Sequence, residues 1–120
     1  MMILVDTNLL MAIVQFHIDV FSEIERIEGK PEILDKSIDE LKKLAAKKDK
    51  HGKAALLVLK IITAKKITIV KTTSDLKTDD LLVQYSHQGS VVATQDRELQ
   101  KRLKKPYIVM RSRNHLELVE

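Results

Sequence analysis

At 120 residues the chain fits one domain spanning 1–120, and 44% hydrophobic with 32% charged residues supplies a packed core and excludes wholesale disorder. The absence of Cys excludes a disulfide framework, thiolate zinc sites and a cysteine nucleophile. A net charge of +4, from 21 Lys and Arg against 17 Asp and Glu, favours polyanionic partners, while 3% aromatic residues and no Trp exclude an aromatic platform of the RNA-recognition-motif kind.

Met1 to Val5 is a continuous apolar run ended by Asp6-Thr7-Asn8, the pattern of a strand buried on both faces. Leu9 to Phe16 and Val20 to Ile27 carry helical spacing and stop at Gly29-Lys30-Pro31, which predicts one helix or a broken pair. Ile33-Leu34 is a short strand, and Ser37-Ile38-Asp39-Glu40 matches a capping box opening a helix through Leu41, Leu44 and Ala45. After the basic stretch Lys47 to Gly52, the segment Ala54 to Ala64 reads as a buried helix. Ile67 to Val70 is a strand and Asp79 to Gln88 a helix closed by Gly89. Ser90 to Thr94, Asp96 to Leu103 and Tyr107 to Met110 complete the chain as strand, helix and last strand. The alternation predicts an open α/β sheet of parallel strands with helices on both faces. No run of about 18 apolar residues occurs, and the first apolar run stops before any signal-peptide core; a soluble, cytoplasmic protein without a membrane partner is expected.

In such a sheet ligands bind outside the carboxyl ends of the strands, where strand order reverses. Asp6, Glu40, Asp79 and Asp96 all fall at strand ends or first helical turns that can face that edge. Four gathered carboxylates raise one another's pKa, and a divalent cation relieves the repulsion; with oxygen donors alone, Mg²⁺ or Mn²⁺ suits better than zinc. Such a site activates water and neutralises a phosphodiester. Each acid also has an ordinary explanation. Asp6 closes a turn, Glu40 completes the capping box, Asp79 and Asp80 complement a helix dipole, and Asp96 is an N-cap.

Ile3-Leu4-Val5-Asp6-Thr7-Asn8, Asp39-Glu40-Leu41-Lys42-Lys43-Leu44-Ala45, Thr78-Asp79-Asp80-Leu81-Leu82 and Val91-Val92-Ala93-Thr94-Gln95-Asp96-Arg97-Glu98-Leu99 resemble, in order, the PIN-domain ribonucleases. The resemblance implies a three-layer α/β/α fold around a central, mostly parallel sheet of about five strands. It implies RNA as substrate, Mg²⁺ or Mn²⁺ as cofactor, and Asp6, Glu40, Asp79 and Asp96 as catalytic metal ligands, with Thr7, Asn8 and Thr94 in support. Leu82 and Ser86 stand three and seven positions after Asp79, the family's apolar and small residues, which selects Asp79 as ligand and leaves Asp80 auxiliary. The segments Gln15 to Ile24 and Met110 to Leu116 look closer to archaeal PIN proteins related to ribosome-processing nucleases than to VapC-type toxins. Processing relatives imply a pre-ribosomal particle as partner and toxin relatives a cognate antitoxin; a homodimer joining two acidic pockets is a further expectation.

Lys42, Lys43 and Lys47 follow Glu40, and Lys101, Arg102 and Lys105 follow Asp96. They either hold an RNA backbone or form solvated helix faces. His17, His51, His87 and His115 show no ligand spacing and read as surface or structural, and three Gly residues form no phosphate loop. The functional expectation is a metal-dependent, endonucleolytic ribonuclease serving rRNA processing or acting as a toxin. The alternative is a catalytically inactive RNA-binding ribosome-assembly factor on the same fold. A phosphoacceptor receiver shares a Lys-Pro pair like Lys105-Pro106, but a strand follows that pair here and Asp6 stands without an adjacent acid.

Overall fold

The computed structural model describes residues 2–120; Met1, the first residue of the expected opening strand, lies outside them. The described chain runs β1 (Ile3–Val5), α1 (Thr7–Gln15), α2 (Val20–Ile27), β2 (Pro31–Leu34), α3 (Asp35–Ala45), α4 (Lys50–Ala64), β3 (Thr68–Val70), α5 (Thr78–His87), β4 (Val91–Ala93), α6 (Arg97–Arg102), β5 (Tyr107–Arg111) and β6 (His115–Val119). The sheet order is β3-β2-β1-β4-β5-β6. Every pairing is parallel except β5 with β6.

β1 is buried throughout, which is why its sequence is unbroken hydrocarbon instead of alternating. Its side chains still divide by the strand period. Ile3 and Val5 enter the larger core with Leu9 and Leu10 of α1, Phe21 and Ile24 of α2, Leu41 of α3 and Val58 of α4. Leu4 turns to the opposite layer, formed with Leu81 and Leu82 of α5 and Leu99 of α6. Four helices therefore cover one face and two the other, the expected three layers. None of the described helices is long and apolar enough to cross a membrane.

The helical stretch after Asp6 is a broken pair: α1 ends at Gln15, His17 takes a left-handed φ of 55°, and Asp19 caps α2 by accepting from Ser22 N at 3.2 Å. The expected capping box at Ser37 to Glu40 does not form. β2 runs directly into α3, which begins at Asp35, so the Ser37 hydroxyl is buried without a hydrogen-bond partner and Glu40 lies beyond the first turn. Asp35 ties this junction together instead. Its carboxylate accepts from Lys36 N at 2.8 Å and from Thr72 N and Oγ1 at 2.9 and 2.7 Å, and these bonds, Thr72's backbone foremost, hold its pKa below the ordinary range.

The sheet carries six strands where about five were expected. β6 pairs antiparallel with β5, Arg111 opposite His115 and Tyr107 opposite Val119, through a turn in which Ser112 and Arg113 have φ of 52° and 54°. Glycine is the usual signal for such a turn, and none marks this one.

Candidate active site

Strand order reverses at β1, which has β2 on one side and β4 on the other. The crevice of an open parallel sheet therefore opens beyond the carboxyl ends of β1 and β4, and the next residues are Asp6 and, past Thr94 and Gln95, Asp96. Asp6 is the N-cap of α1: Oδ1 accepts from Thr7 N at 2.8 Å and Oδ2 from the Thr94 hydroxyl at 2.8 Å. Thr94, fully buried, lies 3.2 Å from Asn8 Oδ1 and accepts from Asp96 N at 3.1 Å. Asp96 in turn caps α6, Oδ1 accepting from Glu98 N and Leu99 N at 2.9 and 3.2 Å. Gln95 Nε2 donates to the Asn8 carbonyl at 2.8 Å. The two central strand ends are thus clamped to each other through side chains.

Glu40 arrives from α3, where Thr7 Oγ1 donates to its Oε1 at 2.8 Å. Asp79 arrives from the first turn of α5. All four acids line one open cavity of about 360 Å³ together with Thr7, Asn8 and Gln95. They surround this space without closing on a point: among the described residues no three Asp, Glu or His side chains are grouped closely enough to hold a metal ion. Glu40 and Asp96 each spend one carboxylate oxygen on the protein, the first on Thr7 and the second on the α6 cap.

Only 5% of Asp6 is exposed, and desolvation is the main force on its carboxyl. The Thr94 hydroxyl and Thr7 amide oppose it, and the charges of Asp79 and Glu40 reinforce it. The outcome is a pKa raised to about 6. Asp79 is also raised, first by partial desolvation and then by Asp96, with Arg102 pulling the other way and Asp80 adding to the rise. This charge pattern is what a cation in the cavity relieves, and the oxygen donors that dominate its lining, carboxylates, hydroxyl and amide beside the single imidazole of His51, suit a hard divalent cation such as Mg²⁺ or Mn²⁺.

A second cleft of about 590 Å³ adjoins the first through Glu40 and Asp79 and is lined by Lys43, Lys77, Thr78, Asp80 and Arg102. Asp80 lines this cleft and not the acidic cavity, and it pairs with Arg102 at 2.6 Å. Of the expected backbone-binding cations, Lys43 and Arg102 stand here. Lys42, Lys47 and Lys105 are exposed and line neither space, and Lys101 pairs with Glu98 at 3.1 Å.

Sequence reasoning missed Lys77, which belongs to no basic run, and His51, which lines the acidic cavity with Gln15, Met11 and Leu44. His51 sits in the first turn of α4, and only the packing of α4 on α1 and α3 brings it to the acids. No local signal marks it.

Residues 3–113 match the family model described as a PIN like domain. The solved structure described as "Structure of the PIN domain endonuclease Utp24" is similar at a TM-score of 0.76 and 25% identity, covering 97% of this chain and 89% of that one. No protein of curated function matches. A sheet reversing at an acidic crevice, and a family match over nearly the whole chain, lead to one assignment: the chain belongs to the PIN-like domain family.

Proposed function

We propose that this protein is a divalent-metal-dependent ribonuclease that hydrolyses phosphodiester bonds within RNA chains. The observation that carries the reading is the delivery of four carboxylates, from the ends of β1 and β4 and from α3 and α5, to one cavity at the sheet's reversal point, with the most buried of them driven to a pKa of about 6. Similarity to a PIN domain endonuclease over 97% of the chain supports the same class, and the resemblance of Gln15 to Ile24 and Met110 to Leu116 to processing nucleases favours rRNA processing over a toxin role.

Asp6, Glu40, Asp79 and Asp96 would hold Mg²⁺ or Mn²⁺ by drawing their carboxylates inward from the positions they take around the cavity. The bound ion supplies Lewis-acid stabilisation of the phosphoryl group and acidifies water. The protein's own part is orientation and charge. Thr94 and the Thr7 amide fix both oxygens of Asp6, and the α6 cap fixes one oxygen of Asp96, so each carboxylate presents in a set direction. Glu40 is steered by Thr7 Oγ1. Lys43, Lys77 and Arg102 hold the backbone on the far side of Asp79, a contact that positions without reading sequence.

The test is cleavage of labelled linear and circular single-stranded RNA with Mn²⁺ or Mg²⁺, beside EDTA and beside Asp6→Asn. Opening of the circle, abolished by EDTA and by the substitution, is the expected result. RNA binding without cleavage under either metal overturns it in favour of an RNA-binding assembly factor.

A further inference from the structure

Beyond His51 and Gln15, on the opposite side of the acidic cavity from Lys43 and Arg102, a third groove of about 610 Å³ opens between the end of α1 and the start of α4. Its character differs from both neighbours. The acidic cavity and the Lys43 cleft are lined by carboxylates; this groove contains none, and its walls are Val14, Phe16, Ala54 and Leu57. Leu57 is 47% exposed and, with the equally exposed Leu56, stands outside the buried stripe of α4 formed by Ala55, Val58 and Ile62. Lys50 and Lys53 stand on the rim, and among the described residues neither forms an ion pair. Arg113 reaches the same place from the β5–β6 turn, its guanidinium 5.2 Å from the centre of the Phe16 ring.

Gln15 and His51 line both this groove and the acidic cavity, so an occupant of one continues into the other. Phosphates and bases alternate along a nucleic-acid strand, and the surface alternates in the same sense: acids where a cation and a phosphodiester meet, an apolar slot, then unpaired lysines. A duplex keeps its bases stacked inside, whereas a single strand turns them out to apolar walls. Phe16 is the one large aromatic side chain lining the groove, with the His51 ring at the boundary shared with the acidic cavity, which suits one seated base and not a long stacked series.

We propose that the groove between α1 and α4, walled by Val14, Phe16 and Leu57 and rimmed by Gln15, Lys50 and Lys53, is a nucleobase subsite for the single-stranded RNA nucleotide beside the scissile bond. It rests on the ribonuclease reading above and adds where the strand is held: one base is buried against α4 and the next phosphate lies on Lys50 and Lys53.

The test is photocrosslinking of single-stranded RNA carrying 4-thiouridine to the full chain in EDTA, with peptide mapping, for wild type, Leu57→Ala and the double substitution Lys50→Gln/Lys53→Gln. Leu57 is half exposed, so its truncation leaves the fold intact, which thermal unfolding verifies. Adducts are expected within residues 14–16 or 50–57. Leu57→Ala should remove most of them and weaken binding roughly five- to tenfold, the scale of one base contact. The double substitution should keep the adducts while flattening the salt dependence of binding.

Adducts confined to the Lys43, Lys77 and Arg102 cleft, or adducts and affinity indifferent to Leu57→Ala, overturn the subsite. So does a protein segment found seated in the groove that RNA fails to displace. RNA cleavage that persists with such a result removes the subsite alone. Loss of the ribonuclease reading shows separately, as cleavage absent under both metals or unaffected by Asp6→Asn.

Discussion

The hydroxyl of Thr94 donates to Asp6 Oδ2 at 2.8 Å, across 88 residues of sequence, and thereby joins the ends of the two central strands. The same oxygen accepts the amide of Asp96 at 3.1 Å, so one buried threonine orients the acids that follow β1 and β4. Thr94→Val keeps the shape and removes the donor. It leaves Asp6 one hydrogen bond short, carries its pKa above the present value of about 6, and lowers stability by about 1–2 kcal/mol in urea unfolding at pH 7. Thr94→Ser restores most of the loss; a valine variant as stable as wild type would contradict the role.

Asp6 makes stability depend on pH in the direction opposite to most carboxylates. Its pKa is 3.8 in the unfolded chain and about 6 in the fold, so the folded state binds the proton more tightly between those values. Stability in EDTA is therefore lost as pH rises from about 4 through about 6, by about 3 kcal/mol for this one group. Asp6→Asn removes the cost: the variant gains on wild type by that order between pH 4 and pH 8. Asp19 and Asp35, held below the ordinary range by their hydrogen bonds, act the other way but cancel in the difference. Parallel stability curves for the two proteins would exclude a penalty on the buried carboxylate.

Arg102 and Lys101 are neighbours with different expected roles. Arg102 pairs with Asp80 at the edge of the cleft beside Asp79, while Lys101 pairs with Glu98 on the exposed side of α6. Exposed pairs contribute less than about 1 kcal/mol, so neither Arg102→Gln nor Lys101→Gln moves the melting temperature by more than a few degrees. In RNA-binding titrations Arg102→Gln weakens affinity and reduces the slope of log K against log salt by about one; Lys101→Gln leaves both unchanged.

Gly52 allows α3 and α4 to turn against each other. A Cβ built there stands 1.9 Å from the Lys47 carbonyl oxygen and 3.0 Å from that of Leu44, both backbone atoms that no rotamer can clear. Gly52→Ala should cost about 3 kcal/mol or more, at the upper end of overpacking, read by thermal or urea unfolding. The same shift displaces His51 from the cavity and α4 from Glu40's helix, so RNA cleavage falls with stability. An alanine variant of wild-type stability would show that the corner relaxes freely.

Much of the frame was legible because it is local. The unbroken Ile3-Leu4-Val5 run reports burial on both faces of β1, Asp96 stands one residue before α6 and caps it, and the Val20 to Ile27 periodicity gives the bounds of α2. The capping box fails for an equally local reason. Ser37-Ile38-Asp39-Glu40 has the spacing of a capping box, but β2 delivers the chain into helix a turn earlier, with Leu34 at the N-cap position and Asp35 bonded to Thr72. A competing long-range hydrogen bond set the start of the helix. β6 was passed over because its alternating His115 to Val119 pattern follows a turn without glycine.

The sequence by itself determined the alternation of strand and helix, the two-faced burial of the central strands, and the presence of an acid after β1, within α3, at the start of α5 and after β4, because periodicity and residue type act within a few positions. The tertiary structure alone decided which of these share a space. The reversal of strand order at β1 sets Asp6 beside Asp96, the packing of α4 on α1 and α3 brings His51 to the acids and opens the groove at Leu57, and the approach of α6 to α5 assigns Asp80 to Arg102. Those relations join residues as far apart as Asp6 and Asp96, at opposite ends of the chain, and their geometry is fixed by sheet order and helix packing, which no local pattern encodes.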